Sequence, residues 1–224
     1  MARHTMSKRH RLNPLLFDLL MTFVAGFLDA VGVTFLSGIY VSFMSGNSVS
    51  AGLAIQSGNV AAAAPIFCMI GGFVVGAFLG TILFERPTVV ALVIFSEVAL
   101  IFLSIFAVGR MIDYLALLPV SMAMGMQNAI PRSISGVSIG RTFITGALFG
   151  LGQSLARALS DRSRLRDAAL HGASWVVLLI GAAIGALSLA RLGLITCLGA
   201  SIVVLSGVTL IDSFLRFRAR RGSV

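Results

Sequence analysis

Six long apolar stretches, near 14–36, 62–84, 88–109, 114–131, 168–190 and 193–215, constrain this chain more than any other feature. Each is close to the roughly 20 residues that a helix needs to cross a bilayer. In hydrocarbon the backbone must satisfy its own hydrogen bonds, so only helices or closed barrels span. A barrel would alternate polar and apolar residues in short segments, and no such alternation is present. Charged residues make up 11% of the chain, against about a quarter in a soluble globule. The expected fold is therefore an all-α integral membrane protein, a six-span helical bundle.

The net charge of +9 comes from seventeen cations, all arginine except Lys8. They fall between apolar blocks and at the termini, the pattern of a membrane protein with its basic loops inside. Nothing resembles a basic face interleaved with aromatics, so no nucleic acid is expected as a partner. Three clusters are assigned to the cytoplasm: Arg3, Lys8, Arg9 and Arg11; Arg157, Arg162, Arg164 and Arg166; and Arg216, Arg218, Arg220 and Arg221. The first apolar block is read as a retained span and not a signal peptide, for want of a cleavage site. Cys68 and Cys197 both sit in apolar blocks, where free thiols act as small hydrophobes. No cysteine or histidine spacing suggests a metal, and no cofactor is expected.

Two shorter pieces, near 42–57 and 142–157, are rich in Gly, Ser and Thr. As full crossings they would give eight spans; as broken or re-entrant elements they leave six. Six spans put Arg86, Arg132 and Arg141 inside and only Arg110 and Arg191 outside, which favours six.

An internal repeat points the same way. Ala25-Gly26-Phe27-Leu28-Asp29-Ala30 aligns with Met124-Gly125-Met126-Gln127-Asn128-Ala129 at an offset of 99, and Phe43-Met44-Ser45-Gly46 with Phe143-Ile144-Thr145-Gly146 at 100. Gly72-x-x-x-Gly76-Ala77 matches Gly181-x-x-x-Gly185-Ala186 at 109. The expected organisation is a basic tail at 1–13, a first membrane repeat at 14–109, a second at 113–215 and a basic tail at 216–224. With three crossings each, the two repeats would be inverted, a common plan of secondary transporters.

Polar groups at membrane depth are the candidate functional residues, because each is costly there unless it meets water or a partner. Asp29 has Asn128 at its repeat position, with Gln127 beside it. Ser45, Asn47 and Thr145 open the short elements, whose N-termini would present free N–H groups. Together Asp29, Ser45, Asn47, Gln127, Asn128 and Thr145 form the candidate binding set for a small polar solute. Asp29 and Glu97 are candidate proton sites, and Arg132 and Arg141 candidate anion-attracting residues. The rival reading is plain helix capping and interhelical hydrogen bonding. His171, just past the basic loop, reads as interfacial. The run Gly72-x-x-x-Gly76-x-x-x-Gly80 lets a helix approach closely, either the other half of the chain or a second copy.

The segments Ala25-Gly26-Phe27-Leu28-Asp29-Ala30-Val31-Gly32, Phe43-Met44-Ser45-Gly46-Asn47, Gly125-Met126-Gln127-Asn128-Ala129 and Thr142-Phe143-Ile144-Thr145-Gly146 resemble the YoaK-like family of bacterial inner-membrane proteins. Ser45 stands where that pattern has Thr, and supplies the same hydroxyl. The resemblance implies a multi-pass protein of the bacterial inner membrane, and implies no substrate; the basic clusters are what set both termini in the cytoplasm. No nucleophile elbow, P-loop, dinucleotide fingerprint or zinc motif occurs, so no enzyme is expected. The expectation is a small secondary transporter or channel; the alternative is a membrane scaffold, sensor or partner subunit.

Overall fold

The computed structural model describes residues 14–85, 90–130 and 144–221. Arg86, Arg132, Arg141 and the N-terminal basic cluster lie outside the described residues. Every described element is helical: α1 Pro14–Phe35, α2 Met44–Gln56, α3 Val60–Glu85, α4 Val90–Ala107, α5 Asp113–Asn128, α6 Ile144–Ala158, α7 Leu165–Leu192 and α8 Leu194–Arg221. The six apolar blocks and two short pieces of the sequence thus each became a helix.

Among the described residues, four helical stretches are both long and apolar enough to cross a membrane: Leu15–Phe35, Val60–Leu83, Arg162–Leu192 and Leu194–Ile211. The described part of α4 is apolar but shorter, and α5 has 16 residues with Pro119 inside it. The chain is a multi-pass helical membrane protein. The same conclusion follows from its surface, where Phe78, Phe95, Phe102, Val203 and Leu210 are all more than three-fifths exposed, a pattern stable only against lipid.

The repeat reappears in what the helices bury. All ten buried positions of α1 between 17 and 31 have a buried counterpart 99 residues on, in α5 and the turn after it. Buried positions 93, 94, 97, 101 and 104 of α4 recur at 197, 198, 201, 205 and 208 of α8, an offset of 104. For α3 and α7 the buried positions 63, 66, 69, 76 and 80 recur at 168, 171, 174, 181 and 185, an offset of 105. This corrects the glycine register read from sequence. The partners of Gly181 and Gly185 are Gly76 and Gly80, one turn beyond the pair aligned at 109.

The two halves pack by exchanging partners. α1 lies along α7, and α5 along α3, while α4 meets both α5 and α8. Glycine is required at these crossings. A Cβ on Gly76 would overlap the Met122 backbone, and one on Gly125 the Phe73 carbonyl. The equivalent contacts set Gly181 against Phe23, Gly185 against Phe27 and Gly26 against Leu178. The glycine run therefore joins the two halves of one chain. Backbones this close gain dispersion contacts, which drive helix association where lipid removes the hydrophobic difference.

Between α6 and α7 the basic loop folds into a short 3-10 turn, Arg162–Arg164. Ser163 donates its N–H to Asp161, and this residue's hydrogen bonds hold the Asp161 carboxyl below the usual carboxylate range. Arg164 sits between Asp161 and Asp167, and Arg162 and Arg166 are exposed.

Candidate functional site

After α1 the chain turns sharply through Ser37 (φ 52°) and Gly38 (φ 111°) and comes back along the helix it has just left. Asp29 draws it in. One carboxylate oxygen accepts the backbone N–H of Val41 (3.1 Å), Ser42 (2.7 Å) and Phe43 (3.3 Å); the other accepts the Ser42 hydroxyl (2.5 Å). Val41 packs over Gly32. Asn47, fully buried in α2, clasps the next peptide: its amide donates to the Tyr40 carbonyl (2.8 Å) and its oxygen accepts the Tyr40 N–H (2.9 Å). The Tyr40 and Phe43 rings meet edge-on, 5.2 Å between centroids, against Gly46, which leaves no room for a side chain. Asp29 and Asn47 thus hold the same segment, 40–43, and set where α2 begins.

A second polar cluster lies in the core. Glu97 of α4 is fully buried and accepts a hydrogen bond from the Gln127 amide of α5 at 3.4 Å. The same amide lies 3.6 Å from the Met21 sulfur of α1. A carboxyl and an amide are therefore joined between an element of the first half and one of the second. Ser201, at the repeat position of Glu97, is also buried, and its hydroxyl bonds back to the Leu198 carbonyl at 2.8 Å.

Of the residues singled out in sequence, Asp29 and Asn47 come together, as do Glu97 and Gln127. The hydrogen bonds of Asp29 all go to residues 41–43. Asn128 donates to the Met124 carbonyl one turn back (2.7 Å). Ser45 and Thr145 are exposed. His171 is buried, its imidazole packed on the bare backbone of Gly150 in the α6–α7 contact.

The sequence profile of a family described as a protein of unknown function, DUF1275, matches residues 17–211, most of the chain. The chain belongs to this family. Among curated relatives, the UPF0700 transmembrane protein RA0705 of Rhizobium meliloti (strain 1021) is 29% identical over 174 residues, covering 77% of this chain and 75% of the relative. The UPF0700 transmembrane protein YoaK of Bacillus subtilis (strain 168) is 25% identical over 182 residues, covering 75% and 81%. The YoaK-like resemblance is thereby established. No solved structure matches.

Three contributors to these two clusters were missed in sequence: Ser42, Tyr40 and Met21. Ser42 and Tyr40 act mainly through backbone groups, which carry no residue signature. Met21 looks like any apolar residue of a span, and only the fold brings it to Gln127.

Proposed function

We propose that the protein is a small secondary transporter of six spans in two inverted halves, moving a small polar solute past a central carboxyl–amide site at Glu97 and Gln127. The observation that carries this reading is the buried Glu97–Gln127 pair where the halves meet. An intramembrane carboxyl facing the bundle interior is a functional group by default, because a mere packing role is met at less cost by an apolar side chain.

Depth supports the inverted arrangement. The repeat counterpart of Gln127 is Leu28, yet Gln127 touches Met21, seven residues or about 10 Å nearer the start of α1. Parallel halves would set counterparts at one depth, whereas inverted halves mirror them about the middle. The Asp29 bonds bring 41–43 back six residues below the end of α1, about 9 Å. From there the 13 residues of α2, about 20 Å long, return to the side the chain left. In this reading α2 is re-entrant and Asp29 is its anchor, leaving Glu97 as the proton site.

Two experiments test this. In the six-span arrangement a cysteine at Ser57 is labelled by an impermeant maleimide added outside the cell, and one at Ser163 is not. Protection of Ser57, or outside labelling of Ser163, overturns the topology. For function, purified protein is melted against a panel of small polar metabolites at mildly acidic and neutral pH. A true ligand at a hundred times its dissociation constant stabilises by about 2.7 kcal/mol. The stabilisation should vanish in Glu97→Gln and in Gln127→Leu while helicity is kept. A panel without a hit, or a hit indifferent to both changes, favours the scaffold reading.

A further inference from the structure

A half-open cavity of about 230 Å³ lies between α1, α7 and α8, away from the Glu97–Gln127 pair. It runs beside Ile184 to Leu192 on α7 and Thr196 to Val204 on α8, with Phe23 and Phe27 of α1 as its floor. Its walls are almost wholly apolar, so it offers nothing to a polar solute.

The cavity is written into the difference between the halves. At the repeat positions of four of the five α8 wall residues, α4 carries a larger one: Leu92 for Thr196, Val93 for Cys197, Glu97 for Ser201 and Leu100 for Val204, while Ser96 matches Ala200 in size. On α7, Ser188 replaces Leu83. α1 goes the other way, with Phe23 and Phe27 where α5 has Met122 and Met126. Accordingly α5 packs closely along α4, whereas α1 and α8 meet over a shorter stretch. Five of the eight wall positions on α7 and α8 are thus smaller than their counterparts in the first half.

We propose that this cavity binds one hydrocarbon chain of a membrane phospholipid, with the lipid phosphate at Arg191. Shape and charge select that occupant. The wall runs along about 12 Å of both α7 and α8, an elongated apolar slot of the length of an alkyl-chain segment. An apolar space of this size stays dry and takes up hydrocarbon. Its open side carries the exposed wall residues Ile184, Leu192, Thr196 and Ala200, on two helices long and apolar enough to span. Arg191, exposed in the last turn of α7, adjoins the wall residue Leu192 at the end of the cavity, where a guanidinium meets a phosphate in fork geometry. This site is independent of the transport reading.

The test uses the full chain in phosphatidylethanolamine–phosphatidylglycerol vesicles containing a phosphatidylcholine with a mid-chain diazirine. After illumination, peptides covering 184–204 should carry roughly tenfold more label than those covering 79–100, the discrimination expected for about 1.4 kcal/mol of preference. Ser188→Leu with Thr196→Leu copies the first half into the second and should bring the labelling of the two regions level. Ala200→Phe fills the cavity from another wall and serves if the double variant does not insert. Arg191→Gln should weaken labelling without moving it. Equal labelling of both regions in the natural protein overturns the proposal, as does labelling indifferent to both filling variants. Full labelling in Arg191→Gln removes the headgroup contact.

Discussion

Gly76→Leu should leave almost no folded protein, and even Gly76→Ala should melt well below the parent. The Cβ alone would lie within the Met122 backbone of α5, so α3 and α5 must part along their whole contact to admit it. Forcing extra atoms into a packed interior costs about 1–3 kcal/mol and more where backbone must move. A domain holds only about 5–15 kcal/mol in total. Gly71 is the control. It lies on the same helix, exposed, with nothing within 4 Å of where a methyl would sit, and alanine there should be neutral or stabilising by up to about 1 kcal/mol. Thermal melting of both alanine variants in one detergent checks this. Equal melting temperatures would mean that α3 and α5 are not in close contact.

Asp29→Ala should be the most damaging polar substitution. It strands three backbone N–H groups and a hydroxyl that converge on one carboxylate. An unsatisfied buried donor costs about 1–3 kcal/mol, so the total is expected at about 3 kcal/mol or more. For a chain of this size that lowers the melting temperature by on the order of 10 °C. Asp29→Asn keeps one acceptor oxygen and should fall between the parent and alanine. The same change should expose the 40–43 segment, which proteolysis or labelling of a cysteine at Ser42 will report. If Asp29→Ala melts with the parent and Ser42 stays protected, Asp29 is not the anchor of α2, and its carboxylate becomes a candidate for proton or solute binding.

Hydrophobic block length and glycine content were enough to locate the eight described helices, since each apolar block is long and its flanks carry arginine or glycine. The repeat was legible at Asp29 and Asn128 for the same reason: rare polar letters at depth align in one way only. The glycine pairing was misread because Gly72, Gly76 and Gly80 recur every four residues, so a slip of one turn preserves the letters. Burial breaks that tie, because the register of 105 also sets buried positions 168, 171 and 174 of α7 on buried positions 63, 66 and 69, whereas the register of 109 does not. Glu97 with Gln127 was hidden for a different reason. Their contact depends on how α4 folds back on α5, and neither residue carries a mark naming its partner.

The exchange of partners between the halves has a consequence for how the molecule is made. α1 leaves the ribosome about 130 residues ahead of α7, the helix it lies along. Until then the bare backbone of Gly26 has no Leu178 to close against. Insertion and folding are therefore separate events for this chain: the early helices reach the bilayer one by one, and the assembly locks only when the last third has been translated. A ribosome stalled after α4 would hold a fully inserted half that has not yet met its glycine contacts with α5 and α7.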